Sequence, residues 1–341
     1  MGQLEGVELT PEMEGRYYNG KMQWICIHAH FTESDTGKEW DLYYWPAIAP
    51  RDEGIVLSLH SGDELVDLCE FHRPHGYMDF ADTGANIDYP GRSVLKGTYP
   101  NYALSVDAPD PDGKQYGLDI TLDADALGFE AVRDLIGIEW YYCPRLIVSG
   151  TLRTPDGEHE VTGTGYIERR RGRFFAQGIR MGIWESLPMQ TKDSMAVPLF
   201  YKVFRDDDTA QLQTFTYTSD GKSLTDLGQV EVEILETKKL EDSDLARSAG
   251  FGQGHSGDRA IEHPVKFRIA AEGPEGRATA TVTRNPKRLV LRDFWREPWS
   301  EARAIGIYGP GRMEAEIETA DGTVKTEGPS FGSALFFWRE D

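Results

Sequence analysis

The sequence predicts an all-β protein built as two antiparallel β-barrels packed together. Three observations carry that expectation. Apolar and polar residues alternate over many short runs, the pattern of half-buried strands. Gly, Pro, Asn-Gly and Asp-Gly steps punctuate those runs, which is turn chemistry. Only Asp123–Ile136 spaces its apolar residues as a helix would. A length of 341 residues suits two such domains.

Taken in order, residues 1–20 form an acidic leader. Lys21–Phe31 (KMQWICIHAHF) reads as the first strand, with Trp24, Cys26, His28 and His30 on one face. Gln23, Ile25, Ile27 and Phe31 occupy the other, so both faces are expected to be covered. Glu33–Gly37 is a turn and Trp40–Trp45 the return strand. Glu53–Leu68 is a strand broken at Ser61-Gly62-Asp63. The irregular stretch after it, with His72, His75 and Gly76-Tyr77, suits a loop at a pocket mouth. Arg92–Ala108, a Pro109–Gly113 turn and Lys114–Ala124 continue the sheet, with Leu118, Ile120 and Leu122 on one face. Asp123–Ile136 is the helix candidate, ended by Gly137.

Trp140–Phe175 organises the chain. Leu146–Thr151 is apolar and β-branched, Thr154-Pro155-Asp156-Gly157 is a turn, and Val161–Ile167 alternates, so a hairpin is expected. Its end carries Glu168, Arg169, Arg170, Arg171 and Arg173. On a regular strand Glu168 and Arg170 share one face while Arg169 and Arg171 take the other. Arg180–Leu187 adds a strand bearing Trp184, and residues 188–197 read as the junction between halves. Strands then fall at Pro198–Phe204, Gln211–Thr218, Val230–Thr237, Val265–Ala271, Arg277–Arg284 and Leu289–Phe294. Residues 239–262 read as a long loop, and the chain ends in a hairpin turning at Asp321-Gly322.

The hairpin also carries a resemblance. Tyr141-Tyr142-Cys143-Pro144-Arg145-Leu146, then Val148-Ser149-Gly150-Thr151-Leu152, then Val161-Thr162-Gly163-Thr164-Gly165-Tyr166 is similar to the signature of the carotenoid 1,2-hydratase and kievitone hydratase superfamily. Fungal decalin-forming Diels–Alderases resemble that superfamily too. The likeness is specific over residues 140–172. Glu168 stands where the family has Asp, Arg169 where it has His, and Arg171 where it has Trp. The resemblance implies two lipocalin-like barrels, residues 1–190 carrying the signature hairpin and residues 191–341. It also implies cofactor-free chemistry at a carbon–carbon double bond of a hydrophobic natural product, such as a terpenoid or carotenoid.

Composition narrows the partners. A net charge of −21 argues against nucleic acid and against anionic membranes. No apolar run is long enough to span a membrane. The leader lacks a basic region followed by an apolar core, and Gly6 stands where a myristoylation signal needs Ser or Thr. Cys26, Cys69 and Cys143 cannot make a disulfide framework, so buried thiols and a cytoplasmic location are expected.

For chemistry, Glu168 is the acid–base candidate, with Arg169 and Asp293 as further catalytic candidates. Trp24, His28, Trp140, Tyr142, Tyr166, Arg171, Trp184 and Trp295 are the candidate substrate-binding set, aromatic with a few polar groups. Each aromatic could equally fill a core. Glu168 and Arg170 could equally be a structural ion pair. The arginines could equally pair with the plentiful acids, or hold an anionic or carbonyl group. His28 and His30 share a face, but no third ligand is indicated, so no metal and no cofactor is expected. GxSxG, P-loop and HExxH patterns are absent. Three readings remain: an enzyme effecting cyclisation, isomerisation or hydration; a lipocalin-like carrier without catalysis; and a scaffold with a filled core.

Overall fold

The computed structural model describes residues 4–16, 22–48, 53–132, 138–172, 179–186, 190–191, 194–195, 199–205, 210–228, 230–239, 262–296 and 302–339. The chain is all-β. Its described helices are one turn at Pro11–Glu14 and a 3-10 turn at Pro286–Arg288. Two compact units are present: Glu5–Phe175 with Asp220–Ser223, and Met1–Leu4, Ala176–Ser219 and Leu224–Asp341.

The first unit is one curled antiparallel sheet. Across it the strands run Glu64–Asp67, Glu53–Ser61, Glu39–Ile48, Met22–Glu33, Gly157–Gly172, Ile138–Thr154, Gln115–Ala124, Asn101–Pro109, Ser93–Thr98, Ile87–Tyr89 and Asp79–Phe80. Most sequence neighbours pair as hairpins, Gln115–Ala124 pairs with Ile138–Thr154 across the short Phe129–Val132 strand, and the Gly157–Gly172 strand returns to pair with Met22–Glu33. Ile25, Ile27, Phe31, Leu42, Leu57, Leu118, Leu146 and Val148 share one core, as the period of two requires.

The second unit follows the same logic. Its sheet passes through Ser223–Asp226, Ala210–Tyr217, Leu199–Arg205, Ile179–Ser186, Gly322–Arg339, Ala302–Thr319, Gly276–Arg284, Glu262–Gly273 and Val230–Lys239. Phe267, Ile269, Val282, Met313 and Ile317 fill its core. The Asp321-Gly322 hairpin forms, with Thr319 opposite Gly322. Residues 240–261, most of the expected long loop, lie outside the described residues.

The helix expected over Asp123–Ile136 does not form in its described part. Strand Gln115–Ala124 runs through Asp123, and Phe129–Val132 is a strand paired with Trp140–Tyr142. Residues 133–137 lie outside the described residues. A helix needs each amide to bond four residues back. Here distant carbonyls take them instead: Ala124 N bonds Pro100 O, Asp125 N bonds Arg145 O, Leu127 N bonds Gly221 O and Gly128 N bonds Val7 O. Phe129 is then buried against Tyr142, with ring centroids 5.8 Å apart.

Candidate functional site

The signature hairpin changes face partway along. Its register slips between Cys143 and Leu146, a β-bulge that contains Pro144. After the bulge Leu146 and Val148 point into the core. Before it, Cys143 joins that core while Trp140 and Tyr142 lie on the opposite face. The Cys-Pro-Arg step thus lets one strand supply both the core and a second buried layer.

That second layer is built in cross-strand rows. One row pairs Tyr43 with His28 and His28 with Tyr166. The next pairs Cys26 with Glu168 and Glu168 with Tyr142. A third pairs Trp24 with Arg170 and Arg170 with Trp140. All nine side chains are buried, although they face away from the main core.

Glu168 is the polar centre. Its Oε2 accepts from Tyr166 OH at 2.7 Å, Arg170 NH2 at 2.9 Å and Trp140 Nε1 at 3.0 Å. Among the described residues no donor reaches Oε1. The Arg170 guanidinium is 3.9 Å from the Trp140 ring centroid and 5.9 Å from that of Trp24, so two indoles flank it. Burial, and then the Glu168 charge, push the Tyr166 hydroxyl well above its usual range, so it stays a donor. Cys26 Sγ lies 3.0 Å from His28 Nε2. Burial, then the charge on Arg170, pushes His28 down to about 3. Burial, then the charge on Glu168, raises Cys26, so this pair is a neutral thiol and imidazole.

Arg169 and Arg171 take the opposite face. Arg169 NH1 donates to Trp24 O at 2.9 Å, and NH2 donates to Gln23 Oε1 at 2.8 Å and Gly15 O at 2.9 Å. Its guanidinium lies 4.7 Å from the Phe80 ring centroid. Burial lowers it to about 9, which leaves it charged at neutral pH. Arg171 bonds Glu139 at 2.5 Å and Glu12 O at 3.0 Å. Both arginines therefore pin the Glu12–Gly15 segment. A void of about 10 Å³, room for one water, lies among Leu9, Glu14, Tyr142, Glu168 and Arg169.

The structure thus brings together Trp24, His28, Trp140, Tyr142, Tyr166 and Glu168 from the expected set. It does not bring Arg169 and Arg171 to that face. Trp184 occupies the Ile179–Ser186 strand, and Asp293 and Trp295 the Val290–Arg296 strand. Their side chains, like Arg173, lie outside the described residues. Strand alternation had put Cys26 on this face with Trp24 and His28, but Tyr43 and Trp45 were missed as members of the layer. The alternation of WDLYYW against the first strand was the available signal. An open groove of about 670 Å³ on the second sheet has Arg268, Glu314, Glu316, Lys325 and Glu327 in its walls, a poor lining for an apolar ligand.

No family model matches this chain, and no curated protein sequence matches it. Solved structures do. A candidate AttH of Nitrosomonas europaea superposes at a TM-score of 0.66 with 15% identity over 96% of each chain. Kievitone hydratase from Nectria haematococca superposes at 0.63 with 9% identity over 98% of each chain. CghA in complex with Sch210972 superposes at 0.52 with 10% identity over 97% of this chain and 94% of that one. At such identities the likeness establishes a shared lipocalin-like fold. No described helix is long and apolar enough to cross a membrane.

Proposed function

We propose that this chain is an enzyme that holds a hydrophobic polyene- or terpenoid-like small molecule against the buried aromatic layer. It acts there, without a cofactor, on a carbon–carbon double bond. Cyclisation and isomerisation are favoured over hydration. The observation that carries this reading is the Glu168 carboxylate. One of its oxygens takes three donors and the other takes none among the described residues.

Such a carboxylate is held rigidly by its neighbours and offers Oε1 to a substrate proton. In an isomerisation, Oε1 takes a proton from carbon next to an unsaturated carbonyl, and the electron pair shifts towards the carbonyl oxygen. Return of that proton to a carbon further along the conjugated system moves the double bond and consumes nothing. In a cyclisation, packing against the aromatic rings of the layer restricts the chain to a reactive conformer and supplies rate by lost freedom. Hydrating an isolated alkene needs a strong acid aimed at carbon, and a carboxylate ringed by donors suits that task poorly. Arg170, the guanidinium of the layer, is paired with Glu168, so a carbonyl-bearing substrate suits the layer better than an anion.

The fold shared with kievitone hydratase supports the reading by analogy alone. The test is product analysis by mass spectrometry after incubating purified protein with neutral polyenes and enones. Conversion that disappears in Glu168→Gln supports it. Every ligand bound and returned unaltered overturns it in favour of a carrier.

A further inference from the structure

A second group of ligand-type side chains lies at one end of the first sheet. It is seven residues along the Met22–Glu33 strand from Cys26, the cross-strand partner of Glu168, or about 23 Å of extended chain. Glu33 ends that strand, Asp35 sits in the following turn, and His159 stands just past the signature hairpin's tip. One ligand atom from each lies within 4.8 Å of the others. His159 Nδ1 is hydrogen-bonded to Asp35 Oδ2 at 3.0 Å and lies 3.7 Å from Glu33 Oε2. A tetrahedral Zn²⁺ with ordinary bond lengths separates its ligand atoms by about 3.3 Å, and the two observed spacings bracket that value.

An independent observation asks for a cation at this spot. Glu33 is 3% exposed, yet no described residue gives its carboxylate a permanent positive partner. Oε1 accepts from Trp40 Nε1 at 2.8 Å, and Oε2 accepts from the Thr36 hydroxyl; both donors are neutral. Lys38 is engaged elsewhere, bonding Glu64 at 3.2 Å with its ammonium 4.1 Å from the Trp40 ring centroid. A buried carboxylate is costly without a countercharge. A divalent cation held between the two carboxylates and His159 supplies that countercharge.

We propose that Glu33, Asp35 and His159 bind a divalent transition-metal ion of the Zn²⁺ type. The ion ties the turn after the first strand to the tip of the signature hairpin. One imidazole with two carboxylates suits Zn²⁺, whereas Ca²⁺ takes six to eight oxygens and no imidazole. The site has no part in the chemistry at Glu168.

The experiment titrates metal-free, tag-free, full-length protein with zinc chloride by calorimetry and by tryptophan fluorescence, which Trp40 reports through its bond to Glu33. One ion should bind per chain and raise the Tm. Asp35→Asn and His159→Gln, both at or near the surface, should keep the fold and weaken binding at least about tenfold each. Circular dichroism checks the fold of both variants. No saturable event at millimolar zinc overturns the proposal. So does binding that both variants keep at native strength, since that marks zinc spread over an acidic surface.

Discussion

Arg170 reaches Glu168 at 2.9 Å while its guanidinium lies 3.9 Å from the Trp140 ring centroid, and both charged side chains are at most 7% exposed. A pair this buried is expensive to break from one side and much cheaper to remove whole. Glu168→Gln should cost about 3–5 kcal/mol by stranding the guanidinium, and Arg170→Met a similar amount by stranding the carboxylate. Glu168→Gln with Arg170→Met should cost clearly less than the sum of the singles. Urea unfolding measures all three, and strict additivity would mean that the two groups are not coupled. On any substrate turned over, Glu168→Gln should slow the reaction by about 10²–10⁴-fold.

His28 makes stability depend on acidity with a definite sign. Its folded value lies near 3, against 6.5 for an ordinary histidine, chiefly because burial disfavours the charged ring. Below pH 6.5 the unfolded chain takes a proton that the native imidazole refuses. The unfolded state therefore binds more protons, so stability is complete above pH 6.5 and declines as pH falls towards 3. One proton of difference makes the decline at most about 1.4 kcal/mol for each pH step of one. His263, pushed down to about 4 mainly by burial, acts in the same direction. Glu14, raised by burial, acts in the opposite one. His28→Gln should flatten the stability profile over this window, measured by chemical denaturation at fixed pH steps. An unchanged slope would show that the native imidazole takes up a proton as readily as the unfolded one.

Arg169 and Arg171 are alike in sequence and unequal in the fold. Arg169 satisfies three backbone carbonyls, those of Trp24, Arg170 and Gly15, and Gln23 from a buried position, whereas Arg171 is half-buried and pairs with Glu139. Arg169→Met should therefore cost about 2–3 kcal/mol through carbonyls left unbonded, and Arg171→Ala under about 1 kcal/mol. Arg169→Met should also speed hydrogen exchange at Gly15, whose amide bonds Pro11 O, and at Arg16, whose amide bonds Ala81 O. Exchange there that stays as slow as in the native chain would place the anchor of Glu12–Gly15 elsewhere.

Strands were readable because the period of two is a local property. Alternation alone put Glu168 with Arg170 and turned Arg169 away. The helix expected at Asp123–Ile136 failed because its amides are claimed by Val7, Pro100, Arg145 and Gly221, carbonyls that no window of sequence contains. The partners of Arg169 were hidden for the same reason: Gly15 is 154 residues distant. The bulge at Cys143–Leu146, which brings Trp140 and Tyr142 into the second layer, had one visible sign, a proline inside an otherwise regular strand.

Gly163 shows why the signature needs its glycines. A Cβ built there would lie 2.0 Å from His30 O and 2.5 Å from Phe31 Cα, both on the neighbouring Met22–Glu33 strand. The atoms in the way are backbone, held by pairing on either side, so no rotamer change can make room. Gly163→Ala must force two paired strands apart beside Phe31, which is wholly buried in the core. Overpacking of this kind typically costs about 1–3 kcal/mol, and a backbone obstacle should put this variant at the upper end or beyond. Thr164→Ala, next in the chain and on the opposite, half-buried face, should cost under about 1 kcal/mol. Thermal unfolding of the two variants side by side measures the difference. Equal losses would mean that the strands can separate freely at this point, and the glycine would then need a different reason.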